Sequence, residues 1–331
     1  MNEVKQTFNR GTIIGVLSEK KLDMEVGKEK IKLKDGNLVD NHIIKGSIVV
    51  CCNNHDYEIN IFQSEYTKNG DTSRNFTNFK ALMDEYISKA DAALNRSLVP
   101  DTIEVTCNLS CNDFYSVKNN KMSSSLRVRS NAFNRRNADT PHMIEFVLEG
   151  IIRSIKPEVK FSSNNDEEPE ETGRLLVEFY TINYNSEAEP FTIIVPEEFA
   201  DDFVNNYNPG TTTSLYVELS TRSVGGNSNK RKAAFGRTAN ITEGFEVIET
   251  VLFGGDEPYD EETLDKDGKC KMILPEDMKL LLKEREIKLQ QIEKDTKDRD
   301  SNGNTSSSSS KKGLGNRKPK VDTSSIPDEP F

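Results

Sequence analysis

The stretch MIEFVLEGIIRSI, residues 143–155, decides the fold. It is rich in β-branched and apolar residues, and the single glycine inside it, Gly150, marks the bulge or bend of a long strand. An acidic loop, NNDEEPEETG (164–173), follows it. Then come LLVEFYTINY (175–184), FTIIV (191–195), a short helix from Pro196 to about Tyr207 carrying Phe199, Phe203 and Val204, SLYVEL (214–219) and GFEVIETVLF (244–253). The order is strand, strand, strand, helix, strand, strand. With a Gly-bent first strand and one helix between the third and fourth, it is the order of a five-stranded Greek-key barrel of the OB type.

The residues before it fit the same plan. RGTIIGVL (10–17), KEKIKLK (28–34), IIKGSIVVCC (43–52), YEINIF (57–62) and TIEVTCNL (102–109) read as strands. Phe79, Leu82, Met83, Tyr86, Ile87 and Ala90 recur at helical spacing and predict one amphipathic helix, capped at Thr77 or Asn78. The expected fold is mainly β: two tandem OB-like five-stranded Greek-key barrels, each with one helix, followed by a charged helix and a disordered tail. The expected divisions are 1–140, a first barrel with the main basic face; 141–255, a second, acidic barrel; 256–299, a linker and charged helix; and 300–331, the tail.

Charge is distributed unevenly. The chain has 331 residues and a net charge of −11, which argues against nucleic-acid binding by the whole surface and confines any such binding to a patch. Lys118 to Arg136, KNNKMSSSLRVRSNAFNRR, contains no acid. Its Lys118, Lys121, Arg127, Arg129, Arg135 and Arg136 would neutralise phosphates, and Phe114, Tyr115 and Phe133 would offer faces for bases. The bland alternative is a solvated strand pair. A second acid-free run, Arg222 to Arg237 with Lys230, Arg231 and Lys232, lies between the fourth and fifth strands of the second barrel. That is the connection OB folds use to grip oligonucleotides, and it also holds Lys118 and Lys121 in the first barrel. Two basic runs at equivalent places favour binding over coincidence. Strict alternation in 28–34 puts Lys28, Lys30, Lys32 and Lys34 on one strand face, facing either an anion or solvent at a guarded edge.

Signals of chemistry are weak. Five cysteines and no apolar leader or span fit a reducing cytoplasm. Cys51, Cys52, His55, Cys107 and Cys111 sit in strand-like runs where one tetrahedral ion could not gather them, so no metal and no cofactor is expected. No catalytic residue stands out. A carboxylate–metal nuclease using Asp256, Glu257 and Asp260 is the enzymatic rival. It lacks a His or Lys partner nearby.

From Pro275 a charged helix carries a narrow apolar stripe, and 300–320 is rich in Ser, Gly, Asn and Lys. The chain ends Asp322, Thr323, Ser324, Ser325, Ile326, Pro327, Asp328, Glu329, Pro330, Phe331. This tip resembles that of the single-stranded DNA-binding proteins of bacteria and their phages, and two barrels in one chain look more like an extended bacteriophage member. Asp328 and Glu329, between the Ile-Pro and Pro-Phe pairs, depart from the usual pattern. The resemblance implies a non-enzymatic protein that binds and protects single-stranded DNA, without sequence specificity, during DNA replication, recombination and repair. It also implies docking of a polymerase, helicase, primase or nuclease on Asp322, Ile326, Pro327, Asp328, Glu329, Pro330 and Phe331. The rival of another class is a replisome scaffold or recombination mediator whose barrels mainly bind protein.

Overall fold

Two glycines set the geometry of the protein, whose computed structural model describes residues 5–160, 170–231 and 239–302. Gly15 lies in β1 (Asn9–Val26) and Gly150 in β8 (Met143–Lys160). Each sits where its strand changes partner. A Cβ on Gly15 would lie 2.4 Å from the Cys51 carbonyl oxygen, and one on Gly150 only 2.1 Å from that of Tyr180, so backbones approach there too closely for a side chain. The bulges come three residues later in both strands, at Ser18 and Arg153.

Around β1 the chain lays down β2 (Ile31–Lys32), β3 (Leu38–Val39), β4 (His42–Cys52), β5 (His55–Ser64), α1 (Arg74–Glu85), α2 (Lys89–Leu94), β6 (Thr102–Ser116) and β7 (Lys121–Arg136). The sheet order β1-β4-β5-β7-β6 closes through a β1–β6 pairing, with β5 and β7 parallel. Around β8 come β9 (Glu170–Ile182), β10 (Ala188–Val195), α3 (Glu197–Asn206), β11 (Thr212–Arg231) and β12 (Ala239–Gly255). Their order β8-β9-β10-β12-β11 closes through β11–β8, with β10 and β12 parallel. Strand for strand the two sets are the same, and both are OB barrels. α4 (Pro275–Asn302) follows.

The barrels share one sheet. β1 and β8 pair antiparallel from Asn9–Leu148 to Ile14–Met143. Counted from the two bulges, Gly11 and Phe146 occupy equivalent places, and they face each other at the centre of this pairing. An approximate two-fold axis therefore passes through a glycine opposed to a phenylalanine, and the core runs continuously from Ile13 and Leu17 through Phe146 to Phe179.

Two expected elements differ. The strand expected at 28–34 is a loop, because Gly27 leaves β1 and a tight turn at Asp35–Asn37, with Gly36 at φ +89°, allows only the two-residue pair β2–β3. The single helix expected over 79–90 is two. Ser73 caps α1, accepting from the Phe76 amide, and Ser88 forms a capping box with Asp91 that starts α2, leaving Tyr86 extended between them. The tail expected at 300–331 lies outside the described residues from 303 onward.

Beyond the first barrel, β6 and β7 continue as a two-stranded arm that touches β10 and α4. Met278 and Leu281 of α4 pack with Tyr180, Ile182 and Ala188 of the second barrel. Arg285 then reaches across, donating to Asp113 Oδ1 at 2.7 Å and to the Ala188 carbonyl at 3.2 Å. Burial pushes the Asp113 carboxyl up. The Ser124 hydrogen bond and the Arg285 charge outweigh that and hold it below its usual value. The pair therefore contributes stability that is present above the unfolded carboxylate range and lost as pH falls through the folded value. Both side chains are nearly buried, so Arg285→Ala is expected to cost about 3–5 kcal/mol at neutral pH, read from denaturant midpoints. The deficit should shrink on acidification. A cost that does not change with pH would show that the pair is not its source.

Candidate nucleic-acid interface

The outer face of β4, β5 and β7 opens into a cleft of about 1550 Å³ between the barrels. In β5, Tyr57, Ile59 and Ile61 point inward, so alternation turns Glu58, Asn60 and Phe62 outward. Phe62 is 70% exposed, in mid-sheet and opposite Lys45. The parallel pairing sets Asn60 beside Arg129. Arg127 and Arg129 leave the same face of β7, flanking the buried Val128, and both line the cleft.

Two more rings stand at its walls. Phe8 is 49% exposed and its backbone is fixed, with its carbonyl accepting from the Glu149 amide at 2.7 Å and Asn9 bracketing Leu109 through Nδ2 and Oδ1. Tyr184, 75% exposed, projects from the β9–β10 turn, which Asn183 Oδ1 shapes by accepting from the amides of Asn185 and Glu187. Rings held by backbone bonds lose little freedom when a base stacks on them.

The charges divide in two. Arg10, Arg127, Arg129 and Lys266 line the cleft with no ion pair among the described residues. Lys5 is paired with Asp265, Lys271 with Glu149, and Lys45 with Glu25 at 2.5 Å. Acids also line it: Glu58, Glu189 and Asp23 among them. Burial raises the Glu189 carboxyl above its ordinary value, with an Asn183 hydrogen bond and the Arg129 charge acting against the rise. The free arginines thus sit on the first-barrel wall and the free Lys266 on the 256–271 segment; of the paired lysines, Lys271 lies in that segment, Lys5 is held by its Asp265, and Lys45 lies in β4.

Of the residues singled out from sequence, Arg127 and Arg129 meet in this cleft. Lys28, Lys30, Lys32 and Lys34 are exposed on the loop joining the first and second barrel strands, which OB folds also use for oligonucleotides. Two are already paired, Lys30 with Asp40 at 3.4 Å and Lys34 with Asp71 at 2.5 Å. Lys118 and Lys121 lie exposed at the arm's tip, roughly 26 Å along the strand from Arg129, and do not line the cleft.

Four other residues lie away from the cleft. Phe133 does not share a face with Arg127 and Arg129, because a bulge at Asn131 reverses the alternation and turns it inward, against Phe79 at 5.1 Å and Tyr86 at 5.4 Å. Tyr115 is buried, hydrogen-bonded to Asn120, with the Lys297 ammonium 5.0 Å from its ring centroid. Arg135 is committed to Asp101 at 3.0 Å and lies over the Tyr86 ring, and Arg136 is paired with Glu104 at 2.6 Å. They close the far end of the barrel. Phe133→Ala is accordingly expected to cost about 3–5 kcal/mol of stability, with the nucleic-acid affinity of the folded fraction unchanged. Lost affinity without lost stability would restore it to the surface.

Lys230 and Arg231 belong to β11, but their side chains, Lys232 and the tip from Asp322 to Phe331 lie outside the described residues. Asp256 and Asp260, two of the three carboxylates of the nuclease reading, tie their own segment down: Asp256 accepts from Tyr216, and Asp260 from Thr263 at 2.7 Å. Phe8, Phe62, Tyr184, Arg10 and Lys266 went unnoticed in the sequence. Phe62 alone left a signal, an aromatic out of phase with an otherwise alternating strand.

No curated protein matches the chain. Among solved structures, the wild-type single-stranded DNA binding protein from Thermus aquaticus aligns with 79% of this chain and 98% of its own, at 11% identity and a TM-score of 0.38. A deletion mutant of that protein aligns with 77% and 96%, at 11% identity and a TM-score of 0.34. At this distance neither likeness says what this chain does. The family described as YorF matches over residues 8–295, from the first strand to the terminal helix, and the chain belongs to that family.

Proposed function

We propose that the protein binds single-stranded DNA in the cleft between its barrels, without reading sequence. The observation that carries this is Phe62, 70% exposed in mid-sheet on the face that also presents the unpaired Arg129. An apolar ring left 70% in water on the outer face of a strand adds little to the barrel core. Beside a free guanidinium, it suits a base and its phosphate. Phe8 and Tyr184 would extend the stacking path, and Arg10, Arg127 and Lys266 the phosphate track. The loop lysines Lys28 and Lys32 would follow the strand outward.

On this reading the protein is not an enzyme and protects single strands during replication, recombination and repair, in a bacterial or phage-infected cytoplasm. Its tip, Asp322 to Phe331, would recruit a replication enzyme. Removing the last ten residues should abolish that recruitment and leave DNA affinity equal or higher, and a weaker affinity would count against the tip's role.

The test is a polarisation titration of the full chain against a labelled single strand, in competition with duplex DNA, RNA of the same sequence and an oligosaccharide. Single-stranded DNA should outcompete duplex by about a hundredfold, since paired bases cannot reach the rings. Equal competition by duplex would sink the stacking path. Competition by RNA alone would move the substrate to RNA, and by the oligosaccharide alone to the other ligand class of this fold.

A further inference from the structure

The two barrels are built alike, so their outer faces can be compared place by place. The parallel pairings fix the comparison: Ile59 lies beside Val128 in the first barrel, and Ile193 beside Thr250 in the second. At the places of Arg127 and Arg129 the second barrel has Glu249 and Val251, and at that of Asn60 it has Ile194. Opposite these, Ser47 is replaced by Leu176. The face that carries free arginines in one barrel carries no free arginine in the other, where Lys156, paired across from Leu176, is a cation without an ion pair among the described residues. Its one carboxylate at the key place, Glu249, is held by Arg174 at 2.9 Å and Arg222 at 2.6 Å, so those two cations are spent as well.

This second face is also partly covered, with Ile194 buried and Thr192 left exposed. The pocket beside it is bounded by Ser124, Ser125 and Leu126 of the first barrel's arm as well as by Leu176, Thr192 and Ile194. Lower down, α4 seals the sheet with Met278 and Leu281, and Arg285 locks arm to helix.

We propose that the single strand is held by the first barrel alone, and that the equivalent face of the second is a protein-docking face occupied by this chain's own arm and terminal helix. This rests on the reading of the cleft as a single-strand site. The second barrel contributes to the groove only by its rim, through Tyr184 and the 256–271 segment. The repeated architecture thus presents one binding face and one buttress, and acid and aliphatic residues in the places of arginine are what separate them.

The experiment uses the full chain and an oligonucleotide carrying 4-thiothymidine, with photo-cross-links mapped by mass spectrometry, and two variants titrated alongside. Cross-links are expected on β4, β5, β7 and Tyr184. Arg127→Glu with Arg129→Glu should lower affinity roughly a hundredfold, whereas Thr192→Glu, at an exposed place on the second face, should change it less than about twofold. Circular dichroism melts check that both variants fold. If the double variant does not fold, the cross-link map of the unaltered chain decides. Cross-links on Leu176, Thr192 or Val251, or equal losses in both variants, would overturn the one-barrel assignment while leaving DNA binding intact. An unaltered chain that binds no single strand overturns the underlying reading as well.

Discussion

Replacing Phe62 with alanine is expected to weaken single-stranded DNA binding about 5- to 150-fold, the loss of one base–aromatic stack worth about 1–3 kcal/mol. The fold should not notice, because the ring touches solvent over most of its surface and the barrel core beneath it is formed by Ile59 and Ile61. Removing Arg127 and Arg129 together should act differently. Each phosphate contact releases counterions, so losing two should flatten the log–log salt dependence by about 1.4 as well as lower affinity. The two kinds of variant are therefore separable by salt: Phe62→Ala shifts the line and keeps its slope, and the arginine pair changes the slope. A Phe62→Ala protein with full affinity would remove the central stacking residue from the account.

Gly11→Val should be among the most damaging single substitutions for stability. A Cβ at this place would lie 2.2 Å from Phe146 Cδ1 and 2.4 Å from the Glu145 carbonyl oxygen. The ring could move, but the carbonyl belongs to the β1–β8 pairing itself. Overpacking of this kind costs about 3 kcal/mol at the upper end of its usual range. For a fold of this size that corresponds to a melting temperature lower by about 5 °C. Shrinking the ring with Phe146→Leu should recover only part of the loss, because the backbone contact remains. An unchanged melting temperature in Gly11→Val would mean that the two barrels are not joined by this strand pair.

Much of this architecture was legible because barrels of this kind impose local demands. Gly150 announced the bend of β8, and the run of strands around a single helix announced the topology. Gly15 plays the same part in the first barrel but was not singled out within RGTIIGVL. What could not be read was which residues face out over long strands. One extra residue at Asn131 reverses the sides of β7, so Phe133 moved from the groove to the core while Arg127 and Arg129 stayed outside. Likewise nothing local in KEKIKLK distinguishes an alternating strand from a loop with a two-residue pairing, since the turn at Gly36 decides it. The cleft itself depends on the β1–β8 pairing, a contact between distant segments that leaves no periodic trace. Arg10 and Tyr184 came to line one cleft with Arg129 only through that pairing, and the sequence had no means of listing them together.

On the proposed function, free cations and exposed rings on the first barrel's outer face hold a single strand. The most direct measurement is the equilibrium affinity of the full chain for single-stranded DNA as a function of salt concentration. Four engaged phosphates, on Arg10, Arg127, Arg129 and Lys266, predict a log–log slope of roughly −3 with residual binding at high salt from stacking. A slope near zero, or no binding at low salt, would contradict it.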